Sequence, residues 1–133
     1  MNNFNFIIIK NLSKNYFSQK KLNVLKNLNY KFKKGKTYSL VGPSGSGKST
    51  LLNILSLIDR PTKGNLIIDK KKINFDDIYK NDKFRSNNYG IIYQEKNLLT
   101  DFTAEENIIL AGLANGKSEN ESIKLTKKIL KKL

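Results

Sequence analysis

The chain has 133 residues and a formal charge of +14, with hydrophobic residues at 38% and charged residues at 27%. That size allows one domain with a modest core, and the balance suits a folded, water-exposed protein better than a disordered or membrane chain. It holds no cysteine, so disulfides and thiolate metal sites are excluded. Its basic residues are 23 lysines and only two arginines, Arg60 and Arg85. Base-reading surfaces favour the planar arginine fork, so a lysine- and asparagine-rich composition explains the charge better than a nucleic-acid site, which stays as an alternative. The longest apolar run near the start, Phe6-Ile7-Ile8-Ile9, is far short of the ~20 residues that span a bilayer and lacks a signal-peptide layout. A cytoplasmic chain is expected.

In chain order, residues 4–9 read as a strand, and Leu28-Asn29-Tyr30-Lys31-Phe32 alternates with period two. A turn at 33–36 leads into Thr37-Tyr38-Ser39-Leu40-Val41, a third expected strand. Gly42-Pro43-Ser44-Gly45-Ser46-Gly47-Lys48-Ser49-Thr50 follows and fits G-x-x-x-x-G-K-[ST]. A helix then buries Leu51, Leu52, Ile54, Leu55 and Ile58 and stops at Asp59-Arg60-Pro61. A strand at 65–68, a turn at 69–72, a short helix over 76–84 and a buried-type strand at 89–93 come next. Two capping boxes, Thr103-x-x-Glu106 and Ser118-x-x-Glu121, predict helices through Leu113 and on to Leu133.

The glycine-rich stretch carries the chemistry. Gly42, Gly45 and Gly47 let successive N–H groups turn inward on phosphate oxygens, and the helix behind them aims its positive end at the same anion. Lys48 is placed to bridge β- and γ-phosphates, Ser49 to ligate Mg²⁺, and Thr50 to reach the α-phosphate. The implied ligand is a nucleoside triphosphate with Mg²⁺. Two further candidates are weaker on their own. Tyr16 could stack on a base, though it or Phe17 serves as readily as a core or hairpin residue. Gln94 ends the 89–93 strand, where an amide could touch Mg²⁺ and orient water, though such residues are usually only solvated.

The loop, the following Leu-Leu-Asn-Ile-Leu and Asp59-Arg60-Pro61-Thr62, Tyr93-Gln94, and the run Leu98-Leu99-Thr100-Asp101-Phe102-Thr103-Ala104-Glu105-Glu106-Asn107 together resemble the ATP-binding subunit of ABC transporters. Lys48 and Gln94 stand 46 residues apart, which suits the family. The segment after Gln94 looks most like the lipoprotein-releasing ATPase and its macrolide- and peptide-exporting relatives. The resemblance implies an α/β phosphate-loop fold: an antiparallel β subdomain, an incomplete central sheet and the start of a helical subdomain, all within one nucleotide-binding domain over 1–133. It places Tyr16 on adenine and Gln94 on the glutamine loop, sensing the γ-phosphate. It further implies transport-coupled ATP hydrolysis with Lys48 and Gln94 in the catalytic machinery, transmembrane permease partners, a head-to-tail second ATP-binding subunit, and a place on the cytoplasmic face of the inner membrane. The chain departs from the family in having no signature motif of the Leu-Ser-Gly-Gly-Gln type, no strand ending in Asp-Glu and no histidine. It is therefore expected to be truncated before the signature and inactive in hydrolysis alone. The alternatives are a non-hydrolysing nucleotide-binding module and an exporter of another substrate.

Overall fold

The structure, a computed structural model, describes residues 5–17, 21–94 and 97–132. Phe4 and Leu133, expected in the first strand and last helix, lie outside them. Two compact units divide the chain, Met1–Arg85 and Ser86–Leu133.

In the first unit, β1 (Asn5–Phe17) pairs antiparallel with β2 (Lys21–Lys33) and with β3 (Lys63–Ile68), and β3 pairs with β4 (Lys71–Lys72). The spatial order is β2-β1-β3-β4, the antiparallel sheet expected from the sequence. Its two long strands run well beyond the expected bounds, because polar residues at bulges conceal their period. Asn11 (φ 50°) and Asn27 (φ 47°) take left-handed backbone conformations, which asparagine tolerates better than most residues. Side chains replace the ladder there: the Asn11 N–H donates to Asn29 Oδ1 at 2.9 Å, and the Asn27 N–H donates to Ser13 Oγ at 2.9 Å. Gly64 (φ 93°) lies so close to the Asn11–Leu12 backbone that no side chain fits.

The core gathers Ile9, Leu12, Leu25, Leu66 and Ile68 from the sheet with Leu51, Ile54 and Leu57. Helix α1 (Lys48–Leu55) supplies the first two of that last group. It is shorter than the periodicity predicts, and of the five residues expected inside only Leu51 and Ile54 are buried; Leu55 is half-buried, and Leu52 and Ile58 are exposed. Helix α2 (Ile78–Asn88) starts later than expected. Asp77 stands just ahead of it, its Oδ1 accepting from the Lys80 N–H at 3.2 Å and its carbonyl from the Asn81 N–H at 3.0 Å.

The expected strand at 37–41 is not one. It runs irregularly beside β2, held by an edge-to-face cluster of Tyr30, Phe32 and Tyr38 and by the Lys33 N–H donating to Tyr38 Oη at 2.8 Å. Val41 is 86% exposed. An apolar groove of about 760 Å³ lies there, lined by Val24, Leu28, Phe32, Leu40, Val41 and Leu52 among others. A strand needs a partner for its backbone groups, and none of the described residues offers 37–41 one. The stretch at 89–93, in the second unit, is likewise not a strand, and Ile92 is fully exposed.

The second unit is built on α3 (Ala104–Ala114) and α4 (Glu119–Leu130). Both expected capping boxes form, with the Glu106 N–H donating to Thr103 Oγ1 and the Glu121 N–H to Ser118 Oγ, and with each glutamate accepting in return. The helices meet at small residues: a Cβ on Gly112 would stand 2.5 Å from the Oγ of buried Ser122. Asn107 ties the preceding loop to α3, donating to the carbonyls of Leu99, Phe102 and Thr103 while its Oδ1 accepts from the Leu99 N–H. No helix among the described residues is long and apolar enough to cross a membrane.

Candidate nucleotide site

The loop at 42–50 wraps the N-terminus of α1. Gly42 (φ 156°), Gly45 (φ 75°) and Gly47 (φ 90°) all take backbone angles that favour glycine. At Gly47 a side chain is also crowded out, since a Cβ would come within 2.9 Å of Leu25 and 3.0 Å of Val24 on β2. Gly47 is the N-cap and brings no capping side chain. The first helical bond runs from the Leu51 N–H to the Gly47 carbonyl at 2.9 Å, so the N–H groups of Lys48, Ser49 and Thr50 have no acceptor inside the helix. The Lys48 ammonium folds back over the loop and donates to the carbonyls of Gly42 at 2.8 Å and Pro43 at 2.7 Å. N–H groups without a helical acceptor, a helix dipole end and a cation thus lie together, the physical features of an anion cradle.

Ser44, Ser46 and Ser49 are exposed, and Thr50 is half-buried. Among the described residues no group of three or more His, Cys, Asp or Glu side chains could hold a metal. The oxygens the loop side chains offer are the neutral hydroxyls of Ser44, Ser46, Ser49 and Thr50, which suit a cation that arrives already bound to phosphate oxygens rather than a free one.

Tyr16 sits near the end of β1, 41% exposed, with its hydroxyl donating to Asp59 Oδ2 at 2.8 Å. Burial and that bond raise the pKa of the phenol, while an interaction with the Thr50 side chain partly offsets the rise. Tyr16 therefore stands beside the first turn of α1. Lys14, buried and two residues earlier, places Nζ 4.8 Å from the Tyr16 ring centre and bonds Asp59 Oδ1 at 2.6 Å and the Arg60 carbonyl at 2.7 Å. Burial works to raise the Asp59 pKa, but hydrogen bonds from Lys14, Tyr16 and the Arg60 N–H win and hold it below the usual carboxylate value. Tyr16 thus meets the loop helix through Thr50, within the first unit. Gln94 belongs to the second, exposed at a bend after the irregular 89–93 stretch.

Lys14 and Asp59 are not legible as site residues in the sequence, where Asp59 reads only as part of a helix stop. The pairing of Tyr16 with Asp59 spans 43 positions and depends on the sheet register. The one local hint is that Asp59 opens the Asp-Arg-Pro-Thr run.

A glycine cradle capped by a lysine at a helix N-terminus defines a phosphate-loop nucleotide-binding fold. Residues 25–133 match the sequence profile described as ABC transporter, and the chain belongs to that family. It is similar to the "Lipoprotein-releasing system ATP-binding protein LolD" of Rickettsia bellii, at 43% identity over 129 residues, covering 96% of this chain and 56% of that protein. It is 40% identical over 131 residues to the "Macrolide export ATP-binding/permease protein MacB" of Mannheimia succiniciproducens, covering 97% of this chain and 20% of that one. Among solved structures, the ATP-binding cassette MJ0796, a dimer in a post-hydrolysis state bound to ADP and Pi, matches with a TM-score of 0.78 and 36% identity, over 94% of this chain and 56% of that chain. The chain spans about half the length of the LolD relatives it matches.

Proposed function

We propose that this chain is the phosphate-loop portion of an ABC-transporter ATP-binding subunit, binding ATP with Mg²⁺ to energise export, with release of lipoproteins from the inner membrane as the favoured task. The observation that carries the reading is the Lys48 ammonium folded onto the Gly42 and Pro43 carbonyls at the open end of α1. Phosphate oxygens compete with neutral carbonyls for a cation and win by charge. The loop N–H groups receive the α- and β-phosphates, Lys48 neutralises the β/γ pair, and the outer face of the Tyr16 ring takes the adenine. Mg²⁺ supplies charge neutralisation of the phosphates and would be held by Ser49.

The export task rests on similarity to LolD proteins at 43–44% identity; the MacB match favours macrolide export as the second reading. The partners under this reading are transmembrane permease subunits and a second ATP-binding subunit, seen as a dimer in the MJ0796 cassette, and the site of action is the cytoplasmic face of the inner membrane. The 133 residues contain neither a histidine nor a Leu-Ser-Gly-Gly-Gln motif, so this chain by itself binds ATP without turnover. Calorimetry with Mg-ATP tests the core of the proposal. The wild-type chain binds and Lys48→Ala does not; equal affinities would refute it, and robust turnover by the 133-residue chain would refute the inactive half.

A further inference from the structure

We propose that Asp59 is a positioning residue that, braced by Lys14, fixes the Tyr16 ring as the platform for the nucleotide base. The inference rests on the reading of Tyr16 as the base-stacking residue and adds how that ring is held. A tyrosine at 41% exposure near a strand end has freedom about its side-chain torsions. Here its hydroxyl is pinned to Asp59 Oδ2 at 2.8 Å, and the other carboxylate oxygen takes the Lys14 ammonium at 2.6 Å. The carboxylate is itself fixed from several sides. Its Oδ1 also accepts from the Arg60 N–H at 2.7 Å, and the Asp59 N–H donates to the Asn53 carbonyl on α1 at 3.1 Å. The segment after it is stitched to β1, with the Thr62 N–H donating to the Ser13 carbonyl at 2.8 Å and the Asn15 N–H to Thr62 Oγ1 at 2.9 Å.

Two consequences follow from this geometry. The Lys14 ammonium stands against one face of the ring at 4.8 Å, where it attracts the ring from that side and leaves the opposite face for the base. Asp59 also hangs from the helix whose first turn carries the phosphate cradle, which sets the base platform and the cradle in one rigid frame. Preorganising a stacking ring in this way raises affinity by sparing the cost of ordering it on binding.

The test compares Mg-ATP with inorganic triphosphate, which uses the cradle alone, by calorimetry on the full chain. Tyr16→Ala is expected to weaken ATP by about tenfold or more, as loss of base–aromatic stacking does elsewhere. Tyr16→Phe keeps the ring and removes only the tether; it and Asp59→Asn are each expected to weaken ATP several-fold while leaving triphosphate unchanged. The double variant is expected to be no weaker than either, since both cut one link. If Tyr16→Ala lowers ATP affinity but Tyr16→Phe and Asp59→Asn do not, the ring works untethered and the positioning role is refuted while the platform survives. Equal loss of ATP and triphosphate on Asp59→Asn would also refute it, by showing that Asp59 acts on the fold or the cradle. No effect of Tyr16→Ala would remove the platform itself.

Discussion

The antiparallel sheet and the two irregular apolar stretches, 37–41 and 89–93, contrast sharply although both are rich in strand-forming residues. In β1, Ile9 and Leu12 are almost wholly buried, flanked on both sides by paired strands. Val41 and Ile92, no less apolar, stand in solvent with irregular backbone. Side-chain preference alone therefore does not make a strand; a partner edge does. The phosphate loop lies between these regimes. It is anchored to the sheet through Gly47 against Leu25 and Val24, and preceded by the unpaired 37–41 segment.

Substitutions in each region test this contrast. The largest effect is expected at the loop, where Lys48→Ala should lower Mg-ATP affinity more than about a hundredfold, since it removes the one cation in the cradle. Next come the paired strands: Leu66→Ala, at a fully buried position, should cost about 2–5 kcal/mol in urea unfolding. A loss under about 0.5 kcal/mol would mean the sheet is not the core. Smaller is the effect of the caps, where Thr103→Ala or Ser118→Ala should each cost about 1 kcal/mol, read as reduced thermal stability of the helical signal. At the bottom, Val41→Ser should change stability by less than about 0.5 kcal/mol, as an exposed residue does. A large loss there would show that 37–41 is packed in solution.

Acid should separate the regions too. The pKa of Asp59 lies below its ordinary value near 3.8, and those of Glu106 and Glu121 below theirs near 4.5, the last two chiefly because the cap backbone N–H groups bond the ionised form. Groups lowered on folding stabilise the protein above the unfolded value, and that contribution is lost as pH falls through the folded one. Helicity followed by circular dichroism should fall below about pH 4.5, and Glu106→Gln with Glu121→Gln should remove that part of the pH dependence.

What was legible in the sequence was local. Both capping boxes are written within four residues and both form, and the phosphate loop is one contiguous motif whose three glycines adopt the expected angles. The antiparallel sheet was legible in kind but not in extent, because Asn11 and Asn27 interrupt the period at bulges. The apolar stretches 37–41 and 89–93 read as strands and are not, because composition records preference and not pairing. The Lys14–Asp59–Tyr16 cluster was invisible because its members lie two and 43 positions from Tyr16, joined only by register.

In the proposed site the backbone amides at the start of α1 grip a triphosphate. Amide chemical shifts of the labelled chain, followed while Mg-ATP is added, test it most directly. Saturable shifts are expected, largest at 44–50, extending to Tyr16 and vanishing in Lys48→Ala. Saturable binding that left those amides unmoved would contradict it.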